Sequence, residues 1–192
     1  MNNRRQILAL LGAGVALPSL HTRHADATAM SSRVTAYAFT FKGLDGGEIL
    51  LSDYAGHPIL VVNTASLCGY TPQYAGLQDL WTRYHARGLM IIGVPSNDFG
   101  NQEPGGASDI YATAQGEFHV TFPLAEKAVV KGPDAHPFYR WAAQERPMET
   151  PRWNFHKYLI GRDGRLKATF VSAVEPTDPR MISAIETELA PE

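Results

Sequence analysis

One cysteine, Cys68, supplies all the thiol in the chain. That scarcity excludes an intramolecular disulfide and any metal cluster built on several thiolates. Long apolar runs are scarce too: the N-terminal stretch at 7–17 is too short for a stable membrane span and is closed by Pro18. Charge of one sign is not concentrated. Lys and Arg number 17 against 19 Asp and Glu, for a net charge of −2. The basic residues are scattered, without the cationic face that nucleic acid or an anionic membrane demands. His57, His85, His119, His136 and His156 are dispersed and show no paired spacing, so no metal site and no bound cofactor are expected.

What is present is ordinary globular material, 44% hydrophobic and 19% charged, enough for one well-packed domain. Arg4-Arg5, the apolar run and Ala25-Asp26-Ala27 have the layout of a bacterial export signal over residues 1–27. The twin arginines favour the Tat route, although Asn3 and Ile7 depart from its strongest pattern. An uncleaved anchor is the alternative, disfavoured by Pro18. His21 and His24 fall in the segment to be removed. A short extension at 28–35 then leads to a domain at 36–192, expected in the periplasm.

Alternation at 37–42 and 48–51 around Asp45-Gly46-Gly47 predicts a β-hairpin. Two β-branched, continuously apolar runs at 59–64 and 89–94 predict strands covered on both faces. Between them Tyr74, Leu77, Leu80, Trp81 and Tyr84 recur at helical spacing, with Thr71 as N-cap and Pro72 as first helical residue. This βαβ unit implies a parallel pair. A weaker helix at 108–115, a short strand near 120–124, a helix at 135–143, a hairpin at 155–160 and 166–171, and an amphipathic helix from 177 complete the chain. The order is that of an α/β, thioredoxin-like fold: a central mixed sheet flanked by helices, with an N-terminal β-hairpin.

Cys68 falls between a buried strand and a helix start, where sites form in open α/β sheets. Amide N–H groups at a helix start favour an anion, and hence a nucleophilic sulfur. Cys68-Gly69-Tyr70-Thr71 has the spacing of a dithiol redox motif with Thr in place of the second cysteine. The competing reading is a buried cysteine that only packs.

Three strings widen the view. Residues 61–74 (Val61-Val62-Asn63-Thr64-Ala65-Ser66-Leu67-Cys68-Gly69-Tyr70-Thr71-Pro72-Gln73-Tyr74), 97–105 (Asn97-Asp98-Phe99-Gly100-Asn101-Gln102-Glu103-Pro104-Gly105) and Trp153-Asn154-Phe155 with Lys157-Tyr158-Leu159 resemble, in order, the signatures of glutathione peroxidases. Val120-Thr121-Phe122-Pro123-Leu124 fits between them. The resemblance spans about residues 36–189. It implies a peroxidase in which Cys68 attacks the peroxide, and Gln102, Trp153 and Asn154 complete a catalytic tetrad. Their amide and indole N–H groups would face the sulfur and the departing oxygen. The product is a sulfenic acid. Taken singly, Trp153 would be a core residue, and Gln102 and Asn154 loop residues.

Relatives of that family often carry a second, resolving cysteine. Here residues 110–115 contain none and Ser96 precedes Asn97, so an external thiol, glutathione by family default, must regenerate Cys68. Asp98 stands where Gln is common. The short segment before Trp153 resembles the monomeric branch, which accepts bulky hydroperoxides. The expected partners are thus a hydroperoxide and an external thiol, with no nucleic acid. Two other readings compete. One is a monothiol oxidoreductase or peroxiredoxin-like enzyme, although Ala65-Ser66-Leu67 lacks the usual peroxiredoxin pattern. The other is a metallochaperone, which normally needs a second cysteine or a suitably placed histidine.

Overall fold

The computed structural model describes residues 34–190; the predicted export signal and most of the extension after it lie outside the described residues. β3 (Ile59–Thr64) and β4 (Met90–Pro95) are buried at every position, as strands covered on both faces must be. They pair in parallel from Ile59↔Met90 to Thr64↔Pro95 and are joined by α1 (Gln73–Tyr84). β5 (Lys157–Ile160) runs antiparallel to β3, and β6 (Leu166–Phe170) antiparallel to β5. The sheet order is therefore β4-β3-β5-β6. β1 (Thr40–Lys42) and β2 (Glu48–Leu50) form a separate N-terminal hairpin.

Successive strand side chains point to opposite faces, and two cores result. Ile59, Val61, Ile92 and Val94 join Phe41 of β1 and Phe138 of α3 (Pro137–Glu145) on one side. Leu60, Val62 and Ile91 join Tyr74 and Leu77 of α1 with Met181 of α4 (Pro179–Leu189) on the other. Each such aliphatic or aromatic side chain contributes roughly 1.5–3 kcal/mol on burial. The C-terminal end of β3 is thus gripped from both faces, and the loop bearing Cys68 starts from a rigid support.

Several boundaries differ from the sequence expectation. The segment near 120–124 makes only isolated bridges, Gly93↔Leu124 and Gly43↔Ala125. Pro123 has no N–H for a ladder, although its carbonyl accepts from Gly93 N–H at 3.0 Å. Gly93 permits this approach, because a Cβ there would stand 2.6 Å from Leu124 Cδ2. The predicted helix at 108–115 is a short α2 (Ala107–Tyr111) that widens into a π-helical turn, Ala112–Glu117. α3 begins two residues later than expected because His136 is its cap, with Nδ1 accepting from Phe138 N–H. α4 is likewise capped by Asp178, which accepts from Arg180 N–H. Among the described residues no helix is long and apolar enough to cross a membrane.

Candidate active site

Residues 65–72 link β3 to α1 and carry Cys68, which is 7% exposed. Thr71, expected to cap α1, instead braces this link. Its hydroxyl accepts from Cys68 N–H at 3.0 Å and donates to the Ala65 carbonyl at 2.8 Å. The helix opens one residue later, at Gln73, with Pro72 in the cap position and no side-chain cap. Tyr70 N–H donates to Cys68 Sγ at 3.4 Å. An amide N–H aimed at sulfur favours negative charge there.

Asn154 is fully buried, and its Nδ2 donates to Gln102 Oε1 at 3.0 Å and to the Phe99 carbonyl at 3.4 Å. These bonds fix the Gln102 amide with its oxygen toward Asn154, which leaves its Nε2 donors to face elsewhere. The Gln102 carbonyl in turn accepts from Leu67 N–H at 3.0 Å, so Gln102 touches the nucleophile loop directly. Trp153 lies against Phe99, with ring centroids 6.0 Å apart, and remains 39% exposed. Gly100, at φ +67°, makes room for that indole, because a Cβ there would meet Trp153 Cη2 at 3.3 Å. The structure therefore joins Gln102 to Asn154 and to the Cys68 loop. No hydrogen bond among the described residues runs from Gln102, Trp153 or Asn154 to Sγ.

Three further residues support the site through partners that the sequence pattern does not reveal. Asn63, at the end of β3, donates from Nδ2 to the Trp153 carbonyl at 3.1 Å, and its own carbonyl accepts from Phe155 N–H at 2.6 Å. It ties the third signature to the strand that carries the first. Asp98, the departure from family pattern, accepts from Val130 N–H at 2.6 Å and Lys131 N–H at 3.2 Å, pinning the loop before α3. Glu103 is buried and accepts from Ser66; burial pushes its carboxyl above the usual range, against the pull of those bonds. Each lies inside one of the family-like strings, but no spacing rule marks its role, because its partner is distant in sequence.

Behind the site sit two buried titratable groups. Lys157 Nζ donates to Gln73 Oε1 at 2.5 Å and to the Val174 carbonyl at 2.6 Å, and burial lowers its pKa to about 7. Burial likewise holds His156 at about 4, with the neighbouring Lys157 charge adding to the effect.

The family model described as glutathione peroxidase matches residues 36–143. A hydroperoxy fatty acid reductase, gpx1, of Synechocystis sp. is 41% identical over 153 residues, covering 75% of this chain and 90% of the relative. A glutathione peroxidase-like peroxiredoxin, GPX5, of Chlamydomonas reinhardtii is 43% identical over 143 residues, covering 73% of this chain and 88% of the relative. Among solved structures, Trgpx in its apo form superposes with a TM-score of 0.64 at 35% identity, covering 81% of this chain and 97% of that one. A thiol-dependent peroxidase on a thioredoxin-like fold is the class that sequence and structure share. Within that class, the chain belongs to the glutathione peroxidase family.

Proposed function

We propose that Cys68 is the peroxidatic residue, assisted by Gln102, Trp153 and Asn154. The thiolate attacks the terminal peroxide oxygen. The O–O bond breaks, the departing alkoxide or hydroxide takes a proton, and Cys68 becomes a sulfenic acid. Gln102 Nε2 and the Trp153 indole N–H supply neutral donors for the developing negative charge, and Asn154 orients the Gln102 amide. A first external thiol then attacks the sulfenic sulfur and releases water. A second frees Cys68 and leaves as a disulfide with the first. Glutathione is the expected thiol.

The observation that carries this reading is a buried thiol facing an amide N–H, on a loop hydrogen-bonded to the Gln102–Asn154 pair. Leu67, 66% exposed, and the half-exposed Trp153 give the surroundings an apolar surface. That surface suits organic hydroperoxides, including those of fatty acids, alongside hydrogen peroxide. We also read the protein as an exported, periplasmic monomer.

Single-turnover oxidation tests the assignment. The Cys68 thiol is expected to vanish on adding one equivalent of hydrogen peroxide or a fatty acyl hydroperoxide and to return on adding glutathione. Cys68→Ser should show neither event. Recovery only with a different thiol would replace glutathione and keep the peroxidase; a thiol that survives excess peroxide would make Cys68 a packing residue.

A further inference from the structure

Glu103 is 1% exposed, an unusual place for a carboxyl group. A buried ionisable side chain needs specific partners to offset its desolvation, and Glu103 finds them on the nucleophile loop. Its Oε2 accepts from Ser66 N–H at 2.9 Å and from Ser66 Oγ at 3.2 Å. Its own N–H donates to Asn97 Oδ1 at 2.9 Å, and its carbonyl accepts from Lys127 Nζ at 3.1 Å. Both ends of the residue are therefore anchored. One position earlier, the Gln102 carbonyl accepts from Leu67 N–H at 3.0 Å. Two successive loop residues are bound to two successive residues of the segment that bears the Gln102 amide. The Thr71 brace holds the loop within itself, while the Leu67 bond is a single tie from the loop to the 102–103 segment. The two bonds to Ser66 add a second tie between the same two segments.

We propose that Glu103 is a positioning residue for the peroxide reaction: by holding Ser66, its carboxyl oxygen sets Cys68 in register with the Gln102 amide. The inference rests on Cys68 being the attacking thiol. It explains why a carboxylate is buried beside a reaction that develops negative charge. The side chain must reach from residue 103 to Ser66 and present an acceptor oxygen. Gln has the same length and keeps such an oxygen; Asp is one methylene short; Ala offers nothing.

The test compares two reactions of the same sulfur in the full-length protein. Peroxide oxidation depends on donors aligned with the leaving oxygen, whereas alkylation by iodoacetamide does not need them. Glu103→Ala is expected to slow oxidation on the order of a hundredfold, the cost of a misplacement of about 1 Å, with alkylation changed by less than about threefold. Glu103→Gln should recover most of the oxidation rate, and Glu103→Asp should not. Amide exchange at Ser66, slow in the wild type and fast in Glu103→Ala, reads the clamp without any peroxide. If Glu103→Ala does not fold, Glu103→Asp carries the comparison. Oxidation at the wild-type rate in Ala or Asp overturns the proposal. So does a parallel change in both reactions, which would mean general loosening. A wild-type thiol inert to peroxide but with a protected Ser66 amide would instead sink the assignment of Cys68.

Discussion

At the scale of single residues, the proposed mechanism divides the site into donors that would meet the peroxide and groups that aim those donors. Asn154 belongs to the second kind, because both of its Nδ2 bonds go to Phe99 and Gln102. Gln102→Ala and Asn154→Ala are each expected to slow Cys68 oxidation on the order of a hundredfold, as the loss of an oriented donor does elsewhere. The double variant should be little slower than the worse single one, since Asn154 acts through the Gln102 amide. Stopped-flow rates for the three proteins check this, and fully additive losses would mean that Asn154 donates to substrate itself. Cys68, Gln102, Trp153 and Asn154 each sit in a recognisable string, which is why the sequence nominates them as candidates. Asn63, Asp98 and Glu103 sit in the same strings but act on residues 90, 32 and 37 positions away. No local pattern encodes such a partner.

At the scale of elements, Lys157 locks the first residue of α1 to the turn that precedes α4. Its amine bonds Gln73 Oε1 on one side and the Val174 carbonyl on the other. Its folded-state pKa is lowered from 10.5 to about 7. Between those values the unfolded chain holds a proton that the folded chain does not, so this group makes stability rise with pH across that window. Below about 7 both states are protonated and its contribution is flat. Urea midpoints measured across the window should climb in the wild type, and the climb should shrink in Lys157→Met. The elements themselves were legible to different degrees. β3 and β4 announced themselves as unbroken apolar runs, and α1 by its spacing of Tyr74, Leu77 and Leu80. The segment around Pro123 has the composition of a strand, while the missing N–H and the close crossing at Gly93 reduce it to bridges. The π-helical turn after α2 gave no sequence sign, since its extra residue is accommodated by packing around Ala114 and not by composition.

For the whole molecule, the order of elements and the two-faced sheet followed from alternation and hairpin signals, so the architecture was legible almost throughout. The N-terminal segment raises a separate question. Cleavage after Ala27 would leave a protein that begins at Thr28, a few residues before the domain is tied down. Val34 accepts from Trp141 Nε1–H at 3.1 Å, and Ala36 N–H donates to the Gly164 carbonyl at 2.8 Å. Protein recovered from a periplasmic fraction should therefore start at Thr28 and unfold at the same temperature as a chain expressed without residues 1–27. Protein that keeps Met1 and pellets with membranes would establish the anchored form.

The three tryptophans of the chain live in different surroundings. Trp81 stacks on His85 at 3.8 Å, and Trp141 is 5% exposed with its indole N–H engaged. Trp153 keeps 39% of its surface in solvent while packing against Phe99. A collisional quencher in the buffer meets that indole more often than the buried Trp141, with the half-buried Trp81 between them. The protein thus carries its own lamp on its surface, and light from that ring can be sorted from that of Trp141 without attaching a dye.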